Sequence, residues 1–549
     1  MSAKFTYTFI FSVVLALSSG QLVFAQHIPL NNNIKESLEQ VKPDEIKGDI
    51  TYLADDKLKG RLPGTEGYQM AVDYVIKRLK ELNVQPAGEN GTWLQKVFFR
   101  KAFTRNAVLS LSHGQTGELG IRNNSYVIYP NPAVAAVKIS SSLVFAGYGI
   151  SEPELGYDDY ENIDVKGKTV IIMRGSPDKF SSSVAAHSMN TSTLLKVAAA
   201  HGAVGVILST SDSTIKMLPN LSNGVYSVID NEGKVAVSRT YDSSQLSFLA
   251  SVKYEFLNLL FKGSGKTIES VAEKLKAGET QSFSLPSFGI NVAYNSVYQD
   301  IVSYNVIGKI QGSDPILKNE YVVHSAHLDH LGIGKPVEGD SLYNGAHDNA
   351  SGVASLLGIA KIYNHIKVKP KRSILIVMVT GEELGDLGSG YFAMHPTVPV
   401  KSMVADVNTD MPTIIAPLLS VTALGAEHSS LAKQVDEAAG YLGISVEPDP
   451  EPKQARFTRS DQYSFVLAGI PALHIKYGNK TADGKNNLNE TVVKWRAKYY
   501  HKPQDDINGI FDFEAGKKYA QLNFLIGYLV AQGISRPVWN TGDIFSTNH

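Results

Sequence analysis

The chain reads as an α/β protein, a mostly parallel central sheet flanked by helices and interrupted by an inserted β-rich domain. Three observations predict this. From about residue 286 onward, apolar runs of strand length alternate with segments of helical periodicity, the layout of repeated βαβ units. One of those runs, 373–380 (SILIVMVT), is apolar without alternation, as a parallel strand buried on both faces requires. Between about 111 and 285 the texture changes to short β-like runs parted by turn residues, as at 142–146 and 169–173.

Length, charge and the N-terminus set the outer bounds. A chain of 549 residues exceeds what one hydrophobic core serves, so several units are expected. The sequence divides them as a signal peptide (1–25), the first part of the larger domain (26–110), the insert (111–285), the rest of the larger domain (286–535) and a tail (536–549). With 52 basic against 53 acidic residues, nothing marks nucleic acid or an anionic membrane surface as a partner. Lys4, the short apolar run 9–17 (FIFSVVLAL) and Ala25 before Gln26 have the form of a bacterial-type secretory signal, too short to span a membrane. An uncleaved anchor is the competing reading; export to the periplasm or the medium, with no span after cleavage, is the expectation. The absence of cysteine excludes both disulfides and acylation on cysteine, leaving core burial and bound metal to stabilise the fold.

Along the chain, 61–67 (RLPGTEG) is turn-rich, and Thr65 can cap a helix over 68–82, whose Ala71, Val72, Val75, Leu79 and Leu82 recur at helical spacing. In the insert, 194–202 reads as a helix closed by Gly202 and 204–208 as a strand, with no catalytic spacing of acids or histidines. His187 and His201 are expected at the surface or as caps. In the larger domain, the apolar start 321–323 delivers His327 and Asp329 at a strand exit, and Asp348 precedes a helix beginning near 349–352. The run 373–380 leads into Glu382 and Glu383, the run 404–410 ends in Asp410, and 470–475 is a further strand. The last helix, about 514–532, carries Leu522, Leu525, Ile526 and Leu529 on one face.

Taken singly, these polar residues are ordinary: paired glutamates start helices, and His501 in Tyr500-His501-Lys502 reads as surface. Together they place acids and imidazoles at successive strand ends, where open α/β sheets bind ligands. Carboxylates with imidazoles suit zinc ahead of manganese or cobalt. One zinc needs about three protein ligands. His327, Asp348, Glu383, Asp410 and His501, with Glu382 to spare, favour two metals. In His-x-Asp, Asp329 stands where it can fix the tautomer of His327.

The segments 325–332 (SAHLDHLG), 344–352 (NGAHDNASG), 381–383 (GEE), 408–410 (NTD) and 500–505 (YHKPQD) resemble, in order, the motifs of the dizinc aminopeptidase family. That family spans bacterial leucyl aminopeptidases, glutamate carboxypeptidases and the transferrin receptor. The insert, at 146–150 (AGYGI), 157–160 (YDDY) and 164–168 (DVKGK), resembles the protease-associated domain of some members. The resemblance implies a zinc-peptidase fold in which His327 and Asp410 hold one zinc, Glu383 and His501 the other, and Asp348 bridges. It implies Glu382 as general base, Asp329 and Asp505 as residues orienting the histidines, and a water between the metals as nucleophile. Peptides with a free N-terminus are the implied substrates. Three positions depart from the family pattern: His347 beside Asp348, Gln462 where histidine is common, and Asp386 where an apolar residue is usual. The stretch 457–465 is expected to line the pocket for the substrate side chain. Competing readings are a carboxypeptidase, a glutaminyl cyclase running on one zinc, or a binding homologue without catalysis.

Overall fold

The computed structural model describes residues 32–546 apart from 114–117, 122–123, 216 and 263, so the expected signal peptide lies outside the described residues. The sheet that positions the site is built from Leu94–His113 (β1), Ser282–Ile310 (β2), Tyr321–His327 (β3), Ser373–Val379 (β4), Met403–Asn408 (β5) and Ala472–Tyr477 (β6). Every residue of β4 is buried. Its alternate side chains serve two cores, with Ile374, Ile376 and Met378 on one face and Leu375, Val377 and Val379 on the other.

Strand order follows from the pairing. β4 runs parallel to β3, β3 parallel to β5 and β5 parallel to β6, whereas β2 closes one side antiparallel to β4 and Ser420–Leu424 the other antiparallel to β6. β3, first in the chain of the four parallel strands, therefore lies between its two successors. The connections leave it in opposite directions, and the crevice at such a switch point opens at the strands' carboxyl ends. Helices Pro43–Leu53, Ser351–His365 and Phe513–Gln532 cover one face; Leu387–Met394 and Gln462–Leu467 cover the other. The helix predicted from Tyr68 spans Glu66–Glu81, its first turn capped by the Thr65 hydroxyl accepting from the Tyr68 N–H.

β1 and β2 pair antiparallel from Leu94↔Val306 to His113↔Phe288 and carry the hydrogen-bonded sheet on into the insert. There β2 pairs with Ala136–Ala146, and the register shifts between Ser284 and Gly289, around Pro286, which has no N–H to donate. The boundaries expected near 110 and 285 fall inside these continuous strands. This part of the sheet continues with Thr169–Met173, Gly205–Ser209 and Phe248–Val252, each parallel to the last, over a separate core drawn from Leu109 to Tyr294.

The insert also packs against the larger domain. His187, expected at the surface, is 4% exposed, its Nδ1 lying 2.7 Å from the Tyr463 hydroxyl. The reason is tertiary: helix Ser182–Ser188 lies on the 452–463 region, a contact no local pattern encodes. In the same contact His428 lies 2.9 Å from Ser183 Oγ and 2.7 Å from Asp543 Oδ2. These are the partners of a hydrolytic triad, but Ser183 and His428 are buried, and the three groups join insert, sheet domain and tail. His201 follows Thr191–Ala200 at its C-terminal end, as expected, and stacks on Tyr160. Among the described residues no helix is long and apolar enough to cross a membrane.

Candidate active site

The ends of β3, β4 and β5 bring the predicted residues together. His327 closes β3, in register with Val379 at the end of β4. Gly381 then turns the chain at φ +71, where a side chain would strike the Phe99 ring. The turn aims Glu382 and Glu383 back at β3. Asp329 holds it, its carboxylate accepting the Glu382 N–H at 3.2 Å and the Glu383 N–H at 3.3 Å. That differs from the expected role: His327 Nδ1 lies 3.9 Å from the Asp329 carboxylate but 3.2 Å from the Asp329 carbonyl oxygen.

Asp348 sits in an irregular turn, Ala346–Ala350, that opens helix Ser351–His365. Asp505 fixes this turn by accepting the His347 N–H at 2.9 Å and the Asp348 N–H at 3.1 Å, rather than by contacting His501. His347 stacks on Phe511 and lies 3.2 Å from Asp505, outside the cluster. Asn349 ties this turn to the next ligand loop. Its amide donates to the Thr409 carbonyl at 3.0 Å, and its oxygen accepts the Met411 N–H at 3.1 Å, clamping Asp410 on both sides.

The resulting distances have a chemical meaning. His327 Nε2 lies 3.3 Å from Asp348 Oδ1 and 3.4 Å from Asp410 Oδ1; His501 Nε2 lies 3.1 Å from Asp348 Oδ2 and 3.3 Å from Glu383 Oε2. Two ligands about 2.0–2.1 Å from a tetrahedral zinc stand about 3.3–3.4 Å apart. Asp348 thus turns one oxygen to each histidine. Glu382 is farther out, 4.0 Å from His327 Nε2. Glu383 Oε1 and the His330 Nδ1 that lies 2.7 Å from it are both buried and neither makes a hydrogen bond of good geometry, as is expected of two ligands that face one metal ion. Two groups, His327–Glu382–Asp410 and His330–Asp348–Glu383, have the spacing to hold a metal ion.

Protonation follows from crowding. Burial works against charge on His327, but, ringed by Glu382, Asp348 and Asp410, it is pushed well above the usual imidazole range. His327 and His501 in turn hold Asp348 well below the usual carboxylate range despite its burial. Asp410 is lowered against its burial by Lys476 and His327. Glu382 is raised by burial, with Glu383, Asp410 and Asp461 adding to it. A buried set this rich in carboxylates is one that bound cations neutralise.

Three features escaped the sequence reading. His330, fully buried, puts Nδ1 2.7 Å from Glu383 Oε1; only its place three residues after His327 hinted at it. Arg61, in the segment read simply as a turn, is 1% exposed. Its guanidinium donates to the carbonyls of Leu53, Leu328 (3.0 Å), Asn344 (2.6 Å) and Gly345 (3.0 Å), holding the two loops that carry His327 and Asp348. Arg239, from the insert, donates to the Gly385 carbonyl and pairs with Asp386, so the unusual acid there has its partner in another part of the chain. Arg239, Thr458, Arg459 and Tyr500 line the cleft over the cluster, about 290 Å³ in volume. Within 457–465, expected to line the pocket, Phe457 and Phe465 turn into a core, and Gln462 is consumed by Asn408 (2.7 Å) and the Phe457 carbonyl (2.6 Å). In that loop Thr458 and Arg459 face the cleft.

Over part of its length the chain is similar to known peptidases. Aminopeptidase Y of Saccharomyces cerevisiae is 26% identical over 256 residues, 44% of this chain and 42% of that protein. Carboxypeptidase Q of Mus musculus is 31% identical over 120 residues, 21% of this chain and 23% of that protein. The matches thus span less than half the length of these relatives. An aminopeptidase from Aneurinibacillus sp. strain AM-1 superposes over 92% of this chain and 99% of its own at 17% identity and a TM-score of 0.48. The family model Peptidase family M28 matches residues 305–522, the span that contains His327, Asp348, Glu382, Glu383, Asp410 and His501. This chain carries a domain of peptidase family M28.

Proposed function

We propose that the protein is an exported, zinc-dependent aminopeptidase that removes the N-terminal residue of peptides. The observation that carries the reading is Asp348, whose two carboxylate oxygens face His327 at 3.3 Å and His501 at 3.1 Å. A pair of zinc ions fits this donor set: His327 and Asp410 on one, Glu383 and His501 on the other, Asp348 between. When bound, such metals polarise the scissile carbonyl and acidify a water. Glu382, beside a ligand and farther from the histidines, takes the water's proton and returns it to the leaving amine. Asp329 keeps Glu382 at that station through the backbone, and Asp505 does the same for Asp348. The carboxylates around the cluster suit a substrate's free α-ammonium, which favours attack at the N-terminal bond. Export is supported by the charge and apolar pattern of 1–25, and the insert, read as a protease-associated domain, contributes Arg239 to the cleft wall.

Metal analysis and a panel of aminoacyl chromogenic amides test the proposal. About two zinc ions per chain and chelator-sensitive cleavage are expected; one ion would point to the cyclase reading. Glu382→Gln should retain the metal and lose about 10²–10⁴-fold in kcat. Undiminished turnover in that variant removes Glu382 as the base.

A further inference from the structure

The cleft has a side chamber whose chemistry the metal cluster does not use. Past Asp410 and Tyr500 it continues into a cavity of about 50 Å³, which shares Asp410, Met411, Arg459 and Tyr500 with the cleft. Four cationic side chains line it: Arg456, Arg459, Lys476 and Arg496. Two of them are deeply set, Arg456 at 5% and Lys476 at 9% exposure.

Asp410, which also lines the chamber, faces Lys476, but the arginines are poorly matched by acids. Arg456 pairs with Asp449 through Nη2, but its Nε and Nη1 are buried without a partner. The Tyr477 hydroxyl, also lining the chamber, is buried without one too. Lys476 Nζ donates to two backbone carbonyls, Asp410 at 2.6 Å and Met411 at 3.2 Å. Among the described residues no carboxylate lies within 4.0 Å of Arg459 or Arg496; Arg496 instead stacks over Tyr500. Buried donors left unpaired are costly, and like charges converging on one small cavity repel. Both costs are relieved by one kind of guest, a carboxylate, whose two oxygens match the guanidinium fork.

We propose that this chamber binds a carboxylate of the substrate, that of an aspartyl or glutamyl residue at the N-terminus, so that the enzyme prefers peptides beginning with an acid. The assignment rests on the aminopeptidase reading. With the α-ammonium and scissile bond at the metal cluster, the chamber beside Asp410 is left for the first side chain. Its small volume admits a carboxylate on one or two methylenes. The other source of the same group is the α-carboxylate of a C-terminal residue.

The test compares Glu-, Asp-, Ala- and Leu-p-nitroanilides and an N-acetyl dipeptide ending in glutamate on the zinc-loaded protein, alongside Arg496→Gln and Arg459→Ala. Glu- and Asp-amides are expected to lead the panel in kcat/KM, and either substitution should cut the acidic-to-leucyl ratio about tenfold or more. Leu- or Ala-amide leading the panel, or a ratio unmoved by both substitutions, overturns the chamber assignment while leaving an aminopeptidase. Cleavage of the acetylated dipeptide alone overturns the N-terminal assignment. Should no substrate turn over, the functional reading fails, and titration of glutarate by calorimetry still judges the chamber. Binding weakened about tenfold by Arg496→Gln supports it; binding indifferent to that substitution places glutarate on the metals and overturns it.

Discussion

Arg61→Met is the most exacting check on how this site is held. The side chain is buried, and its guanidinium makes four hydrogen bonds to main-chain carbonyls: Leu53, Leu328, Asn344 and Gly345. Methionine keeps most of the aliphatic volume and removes every donor. A hydrogen bond to a charged group contributes about 1.5–3 kcal/mol, so four would sum to about 6–12 kcal/mol if they were additive. They are not, because the guanidinium itself was costly to bury, and that burial lowers its pKa to about 10. The carbonyls left behind, some able to recruit water, set the loss at about 3–5 kcal/mol, the range for breaking a buried charged group's contacts. Three of the four, Leu328, Asn344 and Gly345, lie in the loops of His327 and Asp348, so metal affinity should fall together with stability. Guanidinium denaturation of the zinc-free protein reads the first quantity and zinc titration the second. An unfolding free energy within about 0.5 kcal/mol of the parent, with unchanged zinc affinity, refutes the argument that Arg61 holds these loops. Arg61→Lys, which keeps the charge but not the fork, should recover only part of the loss.

Two further outcomes follow from contacts between the insert and the larger domain. Arg239 and Asp386 should show a coupling of about 1 kcal/mol in a double-mutant cycle of Arg239→Met and Asp386→Asn read by denaturation; strict additivity would mean that the pair is incidental. His187 is depressed to about 4 by its burial, with Lys196 adding to it. A histidine lowered in the folded state contributes stability that is complete above pH about 6.5 and drains away as pH falls towards 4. At 1.36 kcal/mol per pH unit the full loss is about 3 kcal/mol. His187→Phe should flatten that part of the pH–stability profile, and an equally steep profile in the variant would assign the acid sensitivity elsewhere.

Which chemistry this chain carries was legible in the sequence, because the chemistry sits at the ends of elements that local patterning defines. An apolar run such as Ser373–Val379 must be buried, its carboxyl end must meet a turn, and the residues after it, Glu382 and Glu383, must face the crevice. The same holds for His327 and Asp410. What tertiary structure alone decided is how those ends are held and what surrounds them. Arg61 lies 267 residues from the Leu328 carbonyl it grips, and Arg239 lies 146 from Gly385; no periodicity or turn signal spans such separations. The domain boundaries were hidden for a related reason, since β1 and β2 run through one continuous sheet from one core to the other and a strand's local pattern does not register which core it faces. The cationic chamber is the clearest case: Arg456, Arg459, Lys476 and Arg496 are unremarkable charges in the chain. Only the crossing of a loop, a strand and a helix gathers them around one small cavity.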